Sequence, residues 1–277
     1  MDANQPSSRY TKYRFHGRSG GIVDQRVEPV PHSFLVLGHT ASIPPWSDLH
    51  IHTHQHSEEF YLLLHGELEF YIAGARLTLQ PHELLFVLPG VPHAVIGGRG
   101  RIEYVGFRAP SVNDKQVVSE IPVWIPSVDE SDRELRRDWG CRVALSSLEN
   151  QNCWLVGWGA VKQQAKHLIL AYLNFPTQEQ ANAGIGTRLR MHYHREAWEY
   201  YVALQGRKVL QIEDALVNVD AGEILEVPPR VRHNVHRRDA PYEGFTIRVP
   251  ITGEHDKVED PIQGSLCQVA QPLLKIP

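Results

Sequence analysis

Apolar residues along this chain alternate with polar ones over short distances and seldom recur at helical spacing. FYLLLHGELEFYIAG, RLTLQ, ELLFVLPG and RIEYVGFRAP run through the first half, and HLILAYLNF, YYVALQG, KVLQIED, EILEVPP and GFTIRVP through the second. Residues two apart on a strand share a face, so these segments predict strands with one buried side. Glycines (21) and prolines (19) separate most of them, and turns at such close spacing predict a mostly antiparallel, all-β chain. Residues 111–140 depart from the pattern. They are richer in charge and proline and read as a connector, with SVDESDRELRR predicting a short helix from Ser127 or Ser131.

The alternation carries unusual chemistry at two places. HTHQHSEEFYLLLHG, residues 52–66, returns as HYHREAWEYYVALQG, residues 192–206. One constant offset in numbering relates every matched feature of the two copies: His52 and His192, His54 and His194, Glu59 and Glu199, Gly66 and Gly206, His93 and His233. Such a constant offset marks an internal duplication, and two copies predict paired barrels rather than a solenoid. Strand period places His52 and His54 on one face, and His192 and His194 likewise. A glutamate opening the next strand and a histidine after a proline-rich turn complete a candidate four-ligand set in each half.

These motifs resemble those of the cupins, specifically the duplicated bicupins. The first cupin motif is carried by residues 52–66 and 192–206. The second, G-x5-P-x-G-x2-H, is carried by GEILEVPPRVRH, where Gly222, Pro228 and His233 match and Arg230 replaces a glycine. In HELLFVLPGVPH, Gly90 and His93 match, while His82 and Leu88 replace the first glycine and the proline. These departures fall in turns and leave every ligand position intact. The resemblance implies two jelly-roll-like β-barrels joined by a short helical connector, each barrel enclosing a metal site. The expected boundaries are an N-terminal arm at 1–33, a first barrel at 34–110, a connector at 111–150, a second barrel at 151–252 and a C-terminal arm at 253–277. The implied cofactor is one divalent transition metal per barrel at most, chosen from iron, manganese, nickel, copper, cobalt and zinc.

Neighbouring residues refine the expected chemistry. In RLRMHYH, Arg188 and Arg190 alternate onto the face of His192 and His194. There they can clamp a substrate carboxylate or phosphate, or form a structural ion pair at the barrel mouth. Asp48 and His50 stand at the matching positions of the first copy, so the two cavities differ in charge. Tyr61 and Tyr201 have the parity of the ligand glutamates. They are candidates for orienting substrate or, with Glu199, for moving a proton, against a plainer role in filling the barrel. His50 and His56 read as rim residues, Glu58 as facing away from the ligands, and Trp198 and Tyr200 as packing on the outer face.

Composition narrows the class. Twenty-eight Lys and Arg against 32 Asp and Glu give a formal charge of −4, which argues against a nucleic-acid partner. Cys141, Cys153 and Cys267 are odd in number and lack metal-type spacing, so they read as buried thiols. No apolar run approaches a membrane span, and the opening residues lack a signal-peptide core, so a cytoplasmic protein is expected. Edge strands and terminal arms suggest a homodimer. The expected activity is that of a metal-dependent enzyme on a small anionic substrate, dioxygenase-type first and isomerase, lyase or hydrolase chemistry next. A non-catalytic metal- and ligand-binding bicupin is the alternative. A transcriptional sensor is disfavoured by the lack of a helix-turn-helix segment.

Overall fold

The computed structural model describes residues 10–15, 20–25, 32–39, 48, 50–126, 139–148, 152–157, 162–183, 185, 190–252 and 256–259. The expected connector helix within 127–138 lies outside them, as do Arg188, Cys267 and the Cys153 side chain.

Two nine-stranded sheets account for these residues. In chain order the strands are β1 (Thr11–Arg14), β2 (Gly20–Gln25), β3 (His32–His39), β4 (His50–His54), β5 (Glu58–Ile72), β6 (Ala75–Leu79), β7 (Glu83–Val87), β8 (His93–Ala109), β9 (Lys115–Glu120) and β10 (Gly140–Ala144). There follow β11 (Asn152–Val156), β12 (Ile169–Phe175), a one-turn helix α1 (Gln178–Asn182), β13 (His192–His194), β14 (Trp198–Ile212), β15 (Ala215–Asp220), β16 (Glu223–Val227), β17 (His233–Val249) and β18 (Lys257–Glu259). The chain divides into two compact units, one of residues 15–149 and 154–169, the other of residues 1–14, 150–153 and 170–277.

The sheets repeat one topology. The N-terminal barrel has the order β10-β7-β5-β8-β3-β2, with β4 between β8 and β9 and with β6 on β5. The C-terminal barrel has β1-β16-β14-β17-β12-β11, with β13 between β17 and β18 and with β15 on β14. Thus β1, which precedes the N-terminal barrel in sequence, completes the C-terminal one, and β10 completes the N-terminal one. Each satisfies the backbone of a strand that would otherwise be an open edge.

This redraws the expected boundaries. The segment assigned to a connector, 111–150, supplies β9 and β10 to the N-terminal barrel, and the two arms supply β1 and β18 to the C-terminal barrel. β1, β9 and β18 are short, and their positions are decided by pairing rather than by an apolar pattern of their own. β9 is exposed throughout.

The long central strands bend at bulges. β5 and β8 shift register at Leu63/His65, His65/Glu67 and Glu69/Phe70, and β14 and β17 shift at the matching places. Such kinks let one strand wrap around a closed core. Gly66 and Gly206 sit at them with φ of 80° and 70°. A Cβ on Gly66 would lie 2.5 Å from the Arg101 carbonyl oxygen, and one on Gly206 would lie 2.2 Å from that of Pro241, which explains the glycine of the repeated motif. The positions that lost glycine keep its backbone. His82 has φ 61° where Gly222 has 83°, and Arg230 has φ 67° where Gly90 has 80°. The turns therefore persist at a cost of about 1 kcal/mol each.

Inside the N-terminal barrel Leu68, Phe70, Ile72, Leu79, Leu85 and Ile102 are fully buried together. Truncating Phe70 to alanine there would cost about 3–5 kcal/mol. The C-terminal core is built around Leu210, Ile212, Val219, Leu225 and Val227.

Candidate metal centres

β4 places His52 and His54 on its inward face, and the antiparallel pairing of β4 with β8 sets His52 opposite His93. β13 and β17 set His192 opposite His233 in the same way. The imidazoles are arranged alike in both barrels. Ring centroids of His52 and His54 are 5.3 Å apart, as are those of His192 and His194. His52–His93 and His192–His233 are both 4.5 Å, and His54–His93 and His194–His233 are 5.8 and 5.9 Å. All six rings are buried.

Glu199 closes the C-terminal group. Its Oε2 lies 2.7 Å from His233 Nε2 and 3.3 Å from His194 Nε2, and ligand atoms from all four residues fall within 4.8 Å of one another. In the N-terminal barrel the three histidines meet that criterion. Glu59 reaches them less tightly, at 3.1 Å from His93 and 3.5 Å from His54.

The other ring nitrogen of every histidine is committed. His93, His192 and His233 donate from Nδ1 to the carbonyls of Val91, Arg190 and Val231, each at 2.8 Å, and His52 reaches that of His50 at 3.4 Å. His54 donates to Asp114 and His194 to Asp256, both at 2.8 Å. A carbonyl only accepts, so Nδ1 carries the hydrogen in those rings and the Nε2 lone pair points inward. A lone pair set against a carboxylate at hydrogen-bond distance, as His233 Nε2 is against Glu199, requires a proton or a cation between them. Three such nitrogens and a carboxylate suit a divalent transition metal, and the tethers to Nδ1 are those that orient metal-bound imidazoles.

Electrostatics agree. Burial and the neighbouring His93 lower His52 to about 4, and burial with His233 lowers His192 to about 3, so both rings are neutral at pH 7. Burial alone would raise Glu199, yet the imidazoles of His194 and His233 close beside it outweigh that and hold the carboxyl well below its ordinary range. Glu59 is lowered against burial by His93 in the same manner.

Of the expected substrate residues, the tyrosines join the clusters. Tyr61 donates to Glu59 Oε2 at 2.8 Å, and Tyr201 hydrogen-bonds Glu199, burial and that carboxylate keeping its phenol protonated far above 10. Arg190 does not join: its side chain is exposed, 3.9 Å from Glu259, as an ion pair at the barrel mouth. His50 and His56 are exposed. Glu58 faces away from the ligands but is buried, accepting from the backbone nitrogens of Lys166 and His167. Cys141 is a buried free thiol, pushed up to about 12 by burial.

Four residues beside the clusters escaped the sequence reading. Asp114 and Asp256 not only orient a ligand histidine but also accept from the backbone nitrogens of His56 and Ser57, and of Glu196. An Asp-Lys pair repeats there, at 114–115 and 256–257, but its spacing is two longer than the offset of the ligands. Arg108 and Arg248, which keep the ligand offset, face the ligand glutamates across β5–β8 and β14–β17, with Arg108 Nε 3.9 Å from Glu59.

Paired barrels, each with three histidines and a glutamate gathered inside, define a class, and comparison with known proteins agrees. The Cupin domain family matches residues 39–100 and 183–243, one segment in each half. The chain thus carries two cupin domains, one in each half, which is the arrangement of a bicupin. A variant of Bacillus subtilis oxalate decarboxylase superposes with a TM-score of 0.51 at 11% identity over 90% of this chain and 78% of that one. A further oxalate decarboxylase structure gives 0.53 at 13% identity with the same coverage. The protein YlbA from E. coli gives 0.53 at 11% over 87% and 90%. At such identities the likeness is one of fold. No curated protein sequence matches the chain. Among the described residues no helix is long and apolar enough to cross a membrane.

Proposed function

We propose that this bicupin is a metal-dependent enzyme acting on a small oxygenated organic anion, with dioxygenase-type chemistry as the first reading and its principal site in the C-terminal barrel. The observation that carries this reading is the convergence of His192, His194, Glu199 and His233, with each imidazole held by its outer nitrogen. A divalent transition metal held by these four residues supplies Lewis-acid polarisation and, for a redox-active ion, electron transfer. Three neutral imidazoles and one carboxylate leave such an ion a net positive charge, which favours anionic oxygen donors.

Tyr201 supports a second reading. Its phenol touches Glu199 and stays protonated at neutral pH, so the pair can deliver and recover a proton beside the substrate. Enolisation or another isomerase or lyase reaction needs that step, whereas ring or carbon–carbon cleavage by dioxygen need not.

The test uses protein loaded with each candidate metal and a panel of small enolic and 2-oxo acids. Oxygen consumption is followed with an electrode and C–H exchange in D2O by NMR. Turnover by one of these routes, abolished in His194→Ala, is the expected result. Loss of exchange in Tyr201→Phe would select the proton-transfer reading, and oxygen uptake surviving that change would select the oxygenase. No turnover with any metal, or turnover indifferent to His194, contradicts the proposal.

A further inference from the structure

The two barrels have closely matched metal-ligand geometry and differ beside it. Leu68 faces Gly98 across β5 and β8, and at the same register Lys208 faces Arg238 across β14 and β17. Ala94 and Ile102 are likewise replaced by Asn234 and Tyr242. Leu68, Ala94 and Ile102 are fully buried, so this architecture closes well over an apolar filling. The C-terminal barrel instead buries two basic side chains opposite one another, and burial, with Arg238 beside it, pushes the Lys208 amine well below its ordinary value.

Lys208 is 1% exposed. Its Nζ lies 4.7 Å from the ring centroid of Tyr201 and 5.2 Å from that of Tyr242, and it makes no hydrogen bond. Arg238 is 2% exposed. It donates from one terminal nitrogen to the Ala181 carbonyl at 2.7 Å, with its guanidinium 5.1 Å from the Phe175 ring, while Nε has no partner. Helix α1 holds this strand segment in place, since Gln178 donates to the Arg238 carbonyl and accepts from Ala240 N. The Tyr242 hydroxyl and both amide atoms of Asn234 are also buried without partners. Among the described residues no carboxylate lies within 4.0 Å of the Lys208 or Arg238 nitrogens, and Glu199 acts on Lys208 only from further off.

Buried charges are ordinarily paired, and a polar group stripped of water costs energy until something satisfies it. Here a lysine nitrogen, an arginine Nε and a phenol are left open on the inner face of one barrel. Tyr201 connects them to the metal ligands, because its hydroxyl touches Glu199 while its ring faces Lys208. One tyrosine side chain thus spans the interval between the cations and the ligand group.

We propose that Lys208 and Arg238 receive a carboxylate of a short substrate whose other end is an oxygen donor to the metal held by His192, His194, Glu199 and His233. This rests on the reading of those four residues as a metal site and narrows the substrate to a dianion. The N-terminal barrel, with Leu68 and Gly98 in the corresponding places, lacks the second recognition element and does not select dianions. The bound carboxylate supplies the counter-charge that the fold omits, and the Tyr242 hydroxyl offers it a further donor.

The test is calorimetric titration of manganese(II)-loaded protein with malonate and succinate, with acetate as the single-carboxylate control and metal content measured on the same samples. Lys208→Leu restores the side chain that the other barrel carries, and Leu68→Met serves as the matched control. Wild type and Leu68→Met should bind one of the dicarboxylates at least about tenfold more tightly than acetate. Lys208→Leu should lose that preference while retaining manganese, and without ligand it should melt at a higher temperature than wild type. Dicarboxylate affinity unchanged in Lys208→Leu, or no dicarboxylate binding by manganese-loaded wild type, overturns the inference. A lowered melting temperature in Lys208→Leu together with unchanged affinity would identify the lysine as a structural cation held by its two rings. Failure of wild type to hold manganese or any other candidate metal would instead overturn the metal-site reading, and the inference with it.

Discussion

Asp114 and Asp256 each tie a ligand histidine to a neighbouring loop, so each should act on only one of the two centres. Replacing Asp256 by alanine frees His194 to rotate and removes the acceptor that holds its Nδ1. Metal affinity of the C-terminal site should fall about 10- to 100-fold, with the N-terminal site unchanged. Competition with a fluorescent chelator measures this directly, and Asp256→Asn, which keeps an acceptor, should lose less. Equal weakening of both sites would show that the aspartate acts through general stability. At this scale the ligands themselves were legible in the sequence, because period-two alternation and a constant offset both pointed to His52, His54, His192 and His194. The aspartates were not, because they sit in loops where no periodicity applies and where the two copies have drifted out of the common frame. Lys208 and Arg238 were hidden differently: strand parity places a lysine inward, but only packing reveals that no partner accompanies it.

Strands β5, β8, β14 and β17 followed from their alternation, whereas β1 and β10 could not be assigned to a barrel from sequence. Pairing of a short strand with a distant edge depends on the whole fold. For β1 the contact is partly electrostatic. Lys12 Nζ lies 2.9 Å and Arg14 Nε 3.1 Å from the carboxylate of Glu223 on β16. Burial would raise Glu223, but the hydrogen bond from Lys12, then those from the Asp220 backbone and Arg14, leave it lowered. A carboxyl lowered on folding stabilises this docking fully above the ordinary glutamate value of 4.5. That contribution is lost as pH falls through the lower folded value. Amide exchange at Thr11–Arg14 should therefore stay slow from neutral pH to below 4.5 and then accelerate, relative to the core of β14. Glu223→Gln should exchange faster at neutral pH and lose the acid step. An unchanged acid step in that variant would place the dependence elsewhere.

At the scale of the whole molecule, duplication has kept one frame and changed one interior. The centroid separations among three histidines match between the barrels, differing most in a pair at 5.8 Å in one and 5.9 Å in the other, while the ligand glutamates approach His93 and His233 to 3.1 and 2.7 Å. The paired architecture was legible because a single offset carries every ligand of the first half onto its counterpart in the second. The sequence points to Arg188 and Arg190 for the asymmetry. Arg190 lies at the mouth, Arg188 is outside the described residues, and the buried difference lies further in, at Lys208 and Arg238. The central claim is that both clusters bind metal and that the C-terminal one, with its complete set of four ligands, binds more tightly. Elemental mass spectrometry on protein purified without a chelating tag, for wild type, His54→Ala and His194→Ala, tests it most directly. The account predicts a transition metal in wild type, a large loss in His194→Ala and a smaller loss in His54→Ala. Metal content near zero in reconstituted wild type, or unchanged in both variants, would contradict it.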